Sequence, residues 1–346
     1  MIDLRSDTVT KPTEAMLAAM QEASLGDDSR DGDETVRRLE ARAAEMTGKD
    51  AGVFVPSGTM SNLVAILAHA DRGGEVIGEA SCHIFNSELG GIANLAGMFP
   101  RMLPGKRGAL DPDLLRDHIR PRLTPNKAGT ALIVLETSHN AAGGAVLPLA
   151  NMAAVSTLAK ENGVPIHVDG ARFFNAAIAL KLPAAELAQH ADSVGFCVSK
   201  GLSAPVGSVL CGSSAFIERA RGFRRMVGGN LRQAGPLAAA GLLGLDTMVE
   251  RLAEDHRTAQ RLAQGLHTLD ARLVNPAEVE TNLVRVDVSA TGRPAAEWSA
   301  ALNQRGVRVN ACAKFALRFV THRHIGDAEV DQTVAAVAEL LKPRKN

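Results

Sequence analysis

The chain has no tyrosine and a single tryptophan, and aromatic residues make up 3 % of its 346 positions. Single-stranded nucleic acid is gripped by aromatic stacking platforms, so that class of function has little to stand on. Neither sign of charge is in excess, since 38 Lys and Arg balance 38 Asp and Glu. The basic footprint of a nucleic-acid or anionic-membrane binder is therefore missing. Cysteine is scarce and scattered. Cys82, Cys197, Cys211 and Cys312 form no C-x-x-C pair and read as thiols of a reducing compartment, neither a disulfide framework nor a zinc site.

Long hydrophobic runs are also lacking. "GPLAAAGLLGL" is too short to span a bilayer, and "MIDLRSDTVTK" carries Asp3, Arg5 and Asp7 where a signal peptide needs apolar residues. A soluble, cytoplasmic chain is the expectation. No two glycines are spaced as G-x-G, which removes the dinucleotide fingerprint. G-x-x-x-x-G-K-[ST], H-E-x-x-H and G-x-S-x-G are absent too.

What is present is alternation. Val36, Leu39, Ala43 and Met46 follow helical spacing up to a stop at Gly48, and "TMSNLVAILAHA" (59–70) reads as a helix. Strand candidates are 51–56, 131–136, 165–170, 194–198 and 207–212, with "LANMAAVSTLAKENG" a helix between the second and third. This predicts an α/β fold with a mostly parallel sheet flanked by helices. After about residue 245 the pattern changes to a long amphipathic helix, the strands "TNLVRVDVS" and "LRFVTH", and a closing helix, "DAEVDQTVAAVAELL". We therefore expect a large unit over 1–246, N-terminal segment included, and a smaller α+β unit over 247–346.

Chemistry gathers at the strand ends. In "FVPSGTMSN" a strand stops at Pro56 and a helix starts near Thr59, with Gly58 allowing close approach, so the free helix amides make an anion pocket suited to a phosphate. An ordinary Ser/Thr cap is the plainer reading. In "IHVDGARFFN", Asp169 ends a buried strand and Arg172 follows. Either the two form a buried structural pair, or Asp169 faces a heterocyclic nitrogen and Arg172 holds a substrate anion. Lys200 ends the next strand, one strand–helix–strand step away; it is a solvated residue or an amine nucleophile able to form a Schiff base. An anion pocket, an acid and an amine together are what pyridoxal phosphate needs for its phosphate, ring nitrogen and aldehyde. His83, in "EASCHIFNSELGG", supplies a flat group to stack on such a ring.

Taken together, "MIDLRSDTVTKPTEAM", "VPSGTMSNLVAI", "HVDGARFFNA", "SKGLSAPVGS" and "GGNLRQAGPLAAAG" resemble the L-threonine aldolases, pyridoxal-phosphate enzymes of the aspartate-aminotransferase fold (fold type I). The resemblance implies retro-aldol cleavage of β-hydroxy-α-amino acids to glycine and an aldehyde; a β-eliminating lyase or aminotransferase of the same fold is the alternative. It makes Lys200 the lysine that binds the cofactor aldehyde, Asp169 the partner of the pyridine nitrogen, Gly58 and Thr59 the phosphate site, and His83 the stacking and catalytic histidine. Ser6, Arg172 and Arg318 would hold the substrate carboxylate. It further implies a homo-oligomer, a dimer of dimers with shared sites, in which Arg232, and less directly Arg225, reaches a neighbour's phosphate. No metal, nucleic acid or membrane is called for. The chain departs from the family in two places: Arg30 stands for a tyrosine, with Glu34 for a nearby proline, and Asn126 stands for a second histidine. Arg30 and Asn126 are thus expected to reshape the side-chain pocket and shift preference away from threonine. Arg224 and Arg225 are read as a solvated basic face.

Overall fold

A computed structural model describes residues 1–120 and 126–342. Its centre is a seven-stranded sheet made of β1 (Ala51–Val55), β2 (Glu75–Glu79), β3 (Phe99–Leu103), β4 (Thr130–Glu136), β5 (Ile166–Asp169), β6 (Ser193–Cys197) and β7 (Ser208–Gly212). Their order across the sheet is β1-β7-β6-β5-β4-β2-β3. All pairings are parallel except those of β7, which runs antiparallel to both β1 and β6. The interior strands are buried along their length, as Val- and Ile-rich strands covered on both faces should be.

Sequence pattern missed β3. It is an edge strand containing Pro100, with Phe99, Pro100 and Met102 exposed, so it has neither apolar continuity nor alternation to announce it.

The helices that matter for the site follow strand ends. They are α1 (Gly58–His69) after β1, α2 (Leu149–Glu161) after β4 and α3 (Phe173–Leu180) after β5. α1 lies close on β6 because residue 195 is glycine; a Cβ there would collide with Ser61 Oγ.

The C-terminal unit has α4 (Leu252–Leu269), an antiparallel sheet of β8 (Leu283–Asp287), β9 (Asn310–Ala313) and β10 (Ala316–Val320), and α5 (Asp327–Leu341). Apolar positions at helical spacing on α4, including Ala259, Leu262 and Leu266, pack with Val284, Val286, Leu317 and Phe319 in a second core. The first residues, grouped by sequence order with the large unit, join this core. Ile2–Asp3 pairs in parallel with Val307–Arg308, and Ile2 and Leu4 are buried there. The chain then crosses back, so that Ser6 and Asp7 reach the C-terminal edge of the large sheet. No described helix is long and apolar enough to cross a membrane.

Candidate active site

β5 and β6 are parallel neighbours with Asp169 in register with Gly195. Asp169 at the end of one strand and Lys200 just beyond the other therefore open on the same sheet edge, where open α/β sheets hold ligands. There they line a cavity of about 450 Å³, within the usual range for a small-molecule site. Ser6, Gly58, Thr59, His83, Arg172 and Arg318 share its wall.

The phosphate end is the start of α1. Ser57 caps it, its hydroxyl accepting from the Met60 amide at 3.2 Å and its carbonyl from the Ser61 amide at 3.0 Å. The amides of Gly58 and Thr59 stand ahead of that cap, where a helix has no internal partner for them, and point positive dipole at the cavity. Gly58 is needed there for space, since a Cβ would stand 2.9 Å from Cys197 Sγ.

The turn carrying Lys200 is fixed through its backbone. Its carbonyl accepts from Thr10 Oγ1 at 2.9 Å and from the Ser203 amide at 2.8 Å. The run of small residues after it now has a reason. Gly207 adopts φ 112°, a left-handed value, and a Cβ there would collide with the Phe54 ring, while Pro205, Val206 and Gly207 form part of the cavity wall.

Asp169 is buried and accepts from Asn62 Nδ2 at 2.9 Å and from the Ala171 amide at 3.2 Å. The structural pair with Arg172, one of the two readings left open by the sequence, is not formed. Arg172 instead makes a two-pronged ion pair with Asp7, Nε to Oδ2 at 2.7 Å and Nη2 to Oδ1 at 2.8 Å, both side chains buried. Burial alone would raise the Asp7 carboxyl; the Arg172 charge and hydrogen bonds override it and hold Asp7 at about 2. The Arg172 charge is thus already offset. Arg318 has no carboxylate partner among the described residues: Nη1 donates to Asn140 Oδ1 at 2.8 Å and Nη2 to the Arg5 carbonyl at 3.4 Å. Burial, then the neighbouring Arg172 charge, pull Arg318 below its ordinary value. Of the two arginines lining the site, Arg318 is thus the one left free for a carboxylate. Ser6 lines the same end and caps the turn Asp7–Val9.

His83 Nδ1 lies 2.9 Å from Glu88 Oε1. The hydrogen bond to Glu88 raises the imidazole above its ordinary value, against the effect of burial. With Nδ1–H donating to Glu88, a neutral His83 keeps the Nε2 lone pair free. Glu136, buried at the end of β4, accepts from the His83 amide at 2.6 Å and the Asn140 amide at 2.7 Å, so one carboxylate orients both the histidine and the residue that holds Arg318.

Other expected residues lie elsewhere. Arg30 is exposed, 3.8 Å from Asp27, and Asn126 is exposed; neither lines this cavity, so within one chain they do not shape it. Arg232 is exposed and bonded to Ser29, and Arg225 is exposed. Arg224 corrects the reading of a solvated basic face. It is buried, with Nη2 3.0 Å from Asp28 and Nη1 donating to the Phe54 carbonyl at 2.9 Å. Sequence reasoning overlooked Asp7, Asn62, Glu88, Glu136 and Asn140. The available signal was a polar residue inside an apolar helix for Asn62 and a carboxylate five residues from a candidate histidine for Glu88.

Comparison with known proteins places this geometry. The Beta-eliminating lyase family model matches residues 3–289. A low-specificity L-threonine aldolase of Arabidopsis thaliana is 42 % identical over 98 % of this chain and 96 % of its own. That of Escherichia coli K12 is 40 % identical over 97 % and 98 %. A threonine aldolase of Leishmania major superposes with a TM-score of 0.85 over 99 % of this chain and 100 % of its own, at 19 % identity, which establishes the fold-type-I architecture. With an extended match to the family model and relatives at this identity over nearly full length, the chain belongs to the Beta-eliminating lyase family, among the low-specificity L-threonine aldolases.

Proposed function

We infer that this protein is a pyridoxal-phosphate-dependent aldehyde-lyase that cleaves L-threonine and related β-hydroxy-α-amino acids to glycine and an aldehyde. The observation that carries the reading is the gathering in one cavity of Lys200, Asp169, the free start of α1 and a single uncompensated arginine. The residues fit the cofactor. Gly58 at the start of α1 stands so close to Cys197 Sγ that a Cβ would crowd it, Asp169 is a buried acid with a face on the cavity, and Lys200 is the cavity's one amine among the described residues.

Lys200 would hold the cofactor aldehyde, Gly58 and Thr59 its phosphate, and Asp169 its ring nitrogen. Bound in this way, the cofactor supplies an electron sink for the carbanion left on glycine. The chain's own residues do the rest. Arg318, steered by Asn140, takes the substrate carboxylate with Ser6 and the cavity-facing side of Arg172, and so sets which bond at Cα stands ready to break. His83, held by Glu88, has Nε2 available to take the β-hydroxyl proton. A fixed base and a pinned carboxylate make the geometry, and no reorganisation is needed at the moment of cleavage.

Arg232 lies exposed and outside its own chain's cavity, which fits contribution to a neighbouring copy's phosphate, and Arg225 is exposed too. A homo-oligomer, a dimer of dimers with shared sites, is the assembly this reading calls for. Arg30 and Asn126, both exposed, would influence substrate choice only through such a neighbour. Four unpaired cysteines fit a reducing cytoplasm. The test is product analysis: glycine and aldehyde from L-threonine or L-allo-threonine support the reading, whereas ammonia with a keto acid assigns β-elimination in its place.

A further inference from the structure

Behind Asp169 runs a buried hydrogen-bonded chain that the reaction scheme leaves unused. Asn62, on α1 and 3 % exposed, donates both protons of its amide, to Glu88 Oε1 at 2.7 Å and to Asp169 Oδ2 at 2.9 Å. Turning the amide over would aim its oxygen at two carboxylates, so Oδ1 faces away and must accept. It lies 3.1 Å from His167 Nε2, which therefore carries the ring proton. His167 is fully buried two residues before Asp169 on β5, and on the same face of the sheet. Its Nδ1 is left as an acceptor for Ser193 Oγ at 2.9 Å, on the register partner in β6. With its one proton spent there, Ser193 Oγ accepts from His69 Nε2 at 2.7 Å. His69 stacks on Phe216, ring centres 4.2 Å apart, at the far end of α1.

Every donor in this series points the same way, from His69 through Ser193, His167 and Asn62 to the two carboxylates. Burial keeps both rings neutral, pushing His167 down to about 3 and His69 to about 4, so neither supplies a competing charge. Burial raises Glu88, the hydrogen bond from His83 works against it, and the Asp169 charge adds to the rise, leaving Glu88 above its ordinary value. The Asn62 amide also opposes the rise, after His83, because hydrogen bonds to the charged form stabilise it, and aligned bonds strengthen one another at low dielectric.

We propose that Asn62, backed by His167, Ser193 and His69, is a positioning residue that fixes Asp169 and Glu88 side by side, coupling the cofactor's ring nitrogen to His83 through one amide. The inference rests on the assignment of Asp169 to the ring nitrogen. It differs from a packing role because the direction of the bonds, as well as the volume of the side chain, is what matters.

The experiment uses the cofactor-loaded protein and four variants: Asn62→Ala, Asn62→Asp, Ser193→Ala and Asp169→Asn. The readouts are pyridoxal phosphate affinity, by titration into the cofactor-free form, and the pH midpoint of the lysine-bound cofactor's visible absorption. Circular dichroism checks each fold. Asn62→Ala should weaken cofactor binding roughly tenfold or more, the loss expected of hydrogen bonds to charged groups. Asn62→Asp, equal in size but a third carboxylate, should bind at least as weakly. Ser193→Ala, which does not touch the cavity, should move the spectral midpoint in the same direction as Asn62→Ala. Should Asn62→Ala fail to fold, the Ser193→Ala midpoint decides. Wild-type affinity and midpoint in Asn62→Asp and Ser193→Ala, with Asp169→Asn impaired, would overturn the relay and leave the site intact. An unimpaired Asp169→Asn would overturn the site assignment itself.

Discussion

Replacing Asp7 by asparagine removes the charge that offsets Arg172 while leaving size and shape nearly unchanged. Both side chains of that pair are buried, so the arginine would remain in the interior with only a neutral amide beside it. The shift of Asp7 from its ordinary 3.8 to about 2 corresponds to about 2.5 kcal/mol of stability at neutral pH. Stranding a buried partner raises the loss to roughly 3–5 kcal/mol. The sign of the pH dependence follows from the lowered value. The stabilisation is complete above about pH 4, where the carboxyl is ionised in folded and unfolded chains alike, and is lost as pH falls toward about 2. Urea unfolding of wild type and Asp7→Asn at pH 7, 4 and 3 should therefore give the widest gap at pH 7 and a narrowing one below pH 4. The double variant Asp7→Leu with Arg172→Leu should be less destabilised than Asp7→Leu alone, because no unpaired charge is left behind. A gap below about 0.5 kcal/mol at pH 7, the level of an exposed pair, or one that widens on acidification, would refute the reasoning.

Gly58→Ala should lower pyridoxal phosphate affinity about tenfold or more with little change in folding, since the added Cβ meets Cys197 Sγ at the phosphate cradle; equilibrium titration of the cofactor-free protein measures it. Arg318→Leu should raise KM by roughly two orders of magnitude, the loss of a charge-assisted carboxylate contact, and Asn140→Ala should raise it less; steady-state kinetics with both variants tests the order. His69 and His167 are held neutral at about 4 and about 3 by burial, so their contribution is present above about pH 6.5 and lost as pH falls toward those values. The thermal midpoint should accordingly drop between pH 6.5 and 4, and His69→Phe should flatten part of that slope.

Much of the fold could be read from sequence because the interior strands are buried on both faces and helices such as α1 begin at a side-chain cap. α1 starts at Gly58 and α5 covers Asp327–Leu341, close to where Ser57 and the "DAEVDQ" run put them. β3 was hidden because an exposed edge strand with a proline lacks the burial that writes periodicity into sequence. The strand-end residues were legible for a topological reason: parallel neighbours one crossover apart must present Asp169 and Lys200 at one edge. Asp7 was not legible. Its contact with Arg172 spans 165 positions and depends on the N-terminal segment pairing with Val307–Arg308 before it returns. Asn62 and Glu88 were missed similarly, since their hydrogen bond joins α1 to a segment 26 positions further along the chain. Arg224 looked solvated among its charged neighbours, yet the carbonyl of Phe54 and the carboxylate of Asp28 draw it inward.

The central claim is most directly tested by glycine release from L-threonine and L-allo-threonine, with cofactor-loaded wild type and Lys200→Ala side by side. The account predicts glycine and acetaldehyde in equal amounts from the wild type, and neither from a folded Lys200→Ala variant. Ammonia and a keto acid without glycine, or undiminished glycine release by Lys200→Ala, would contradict it.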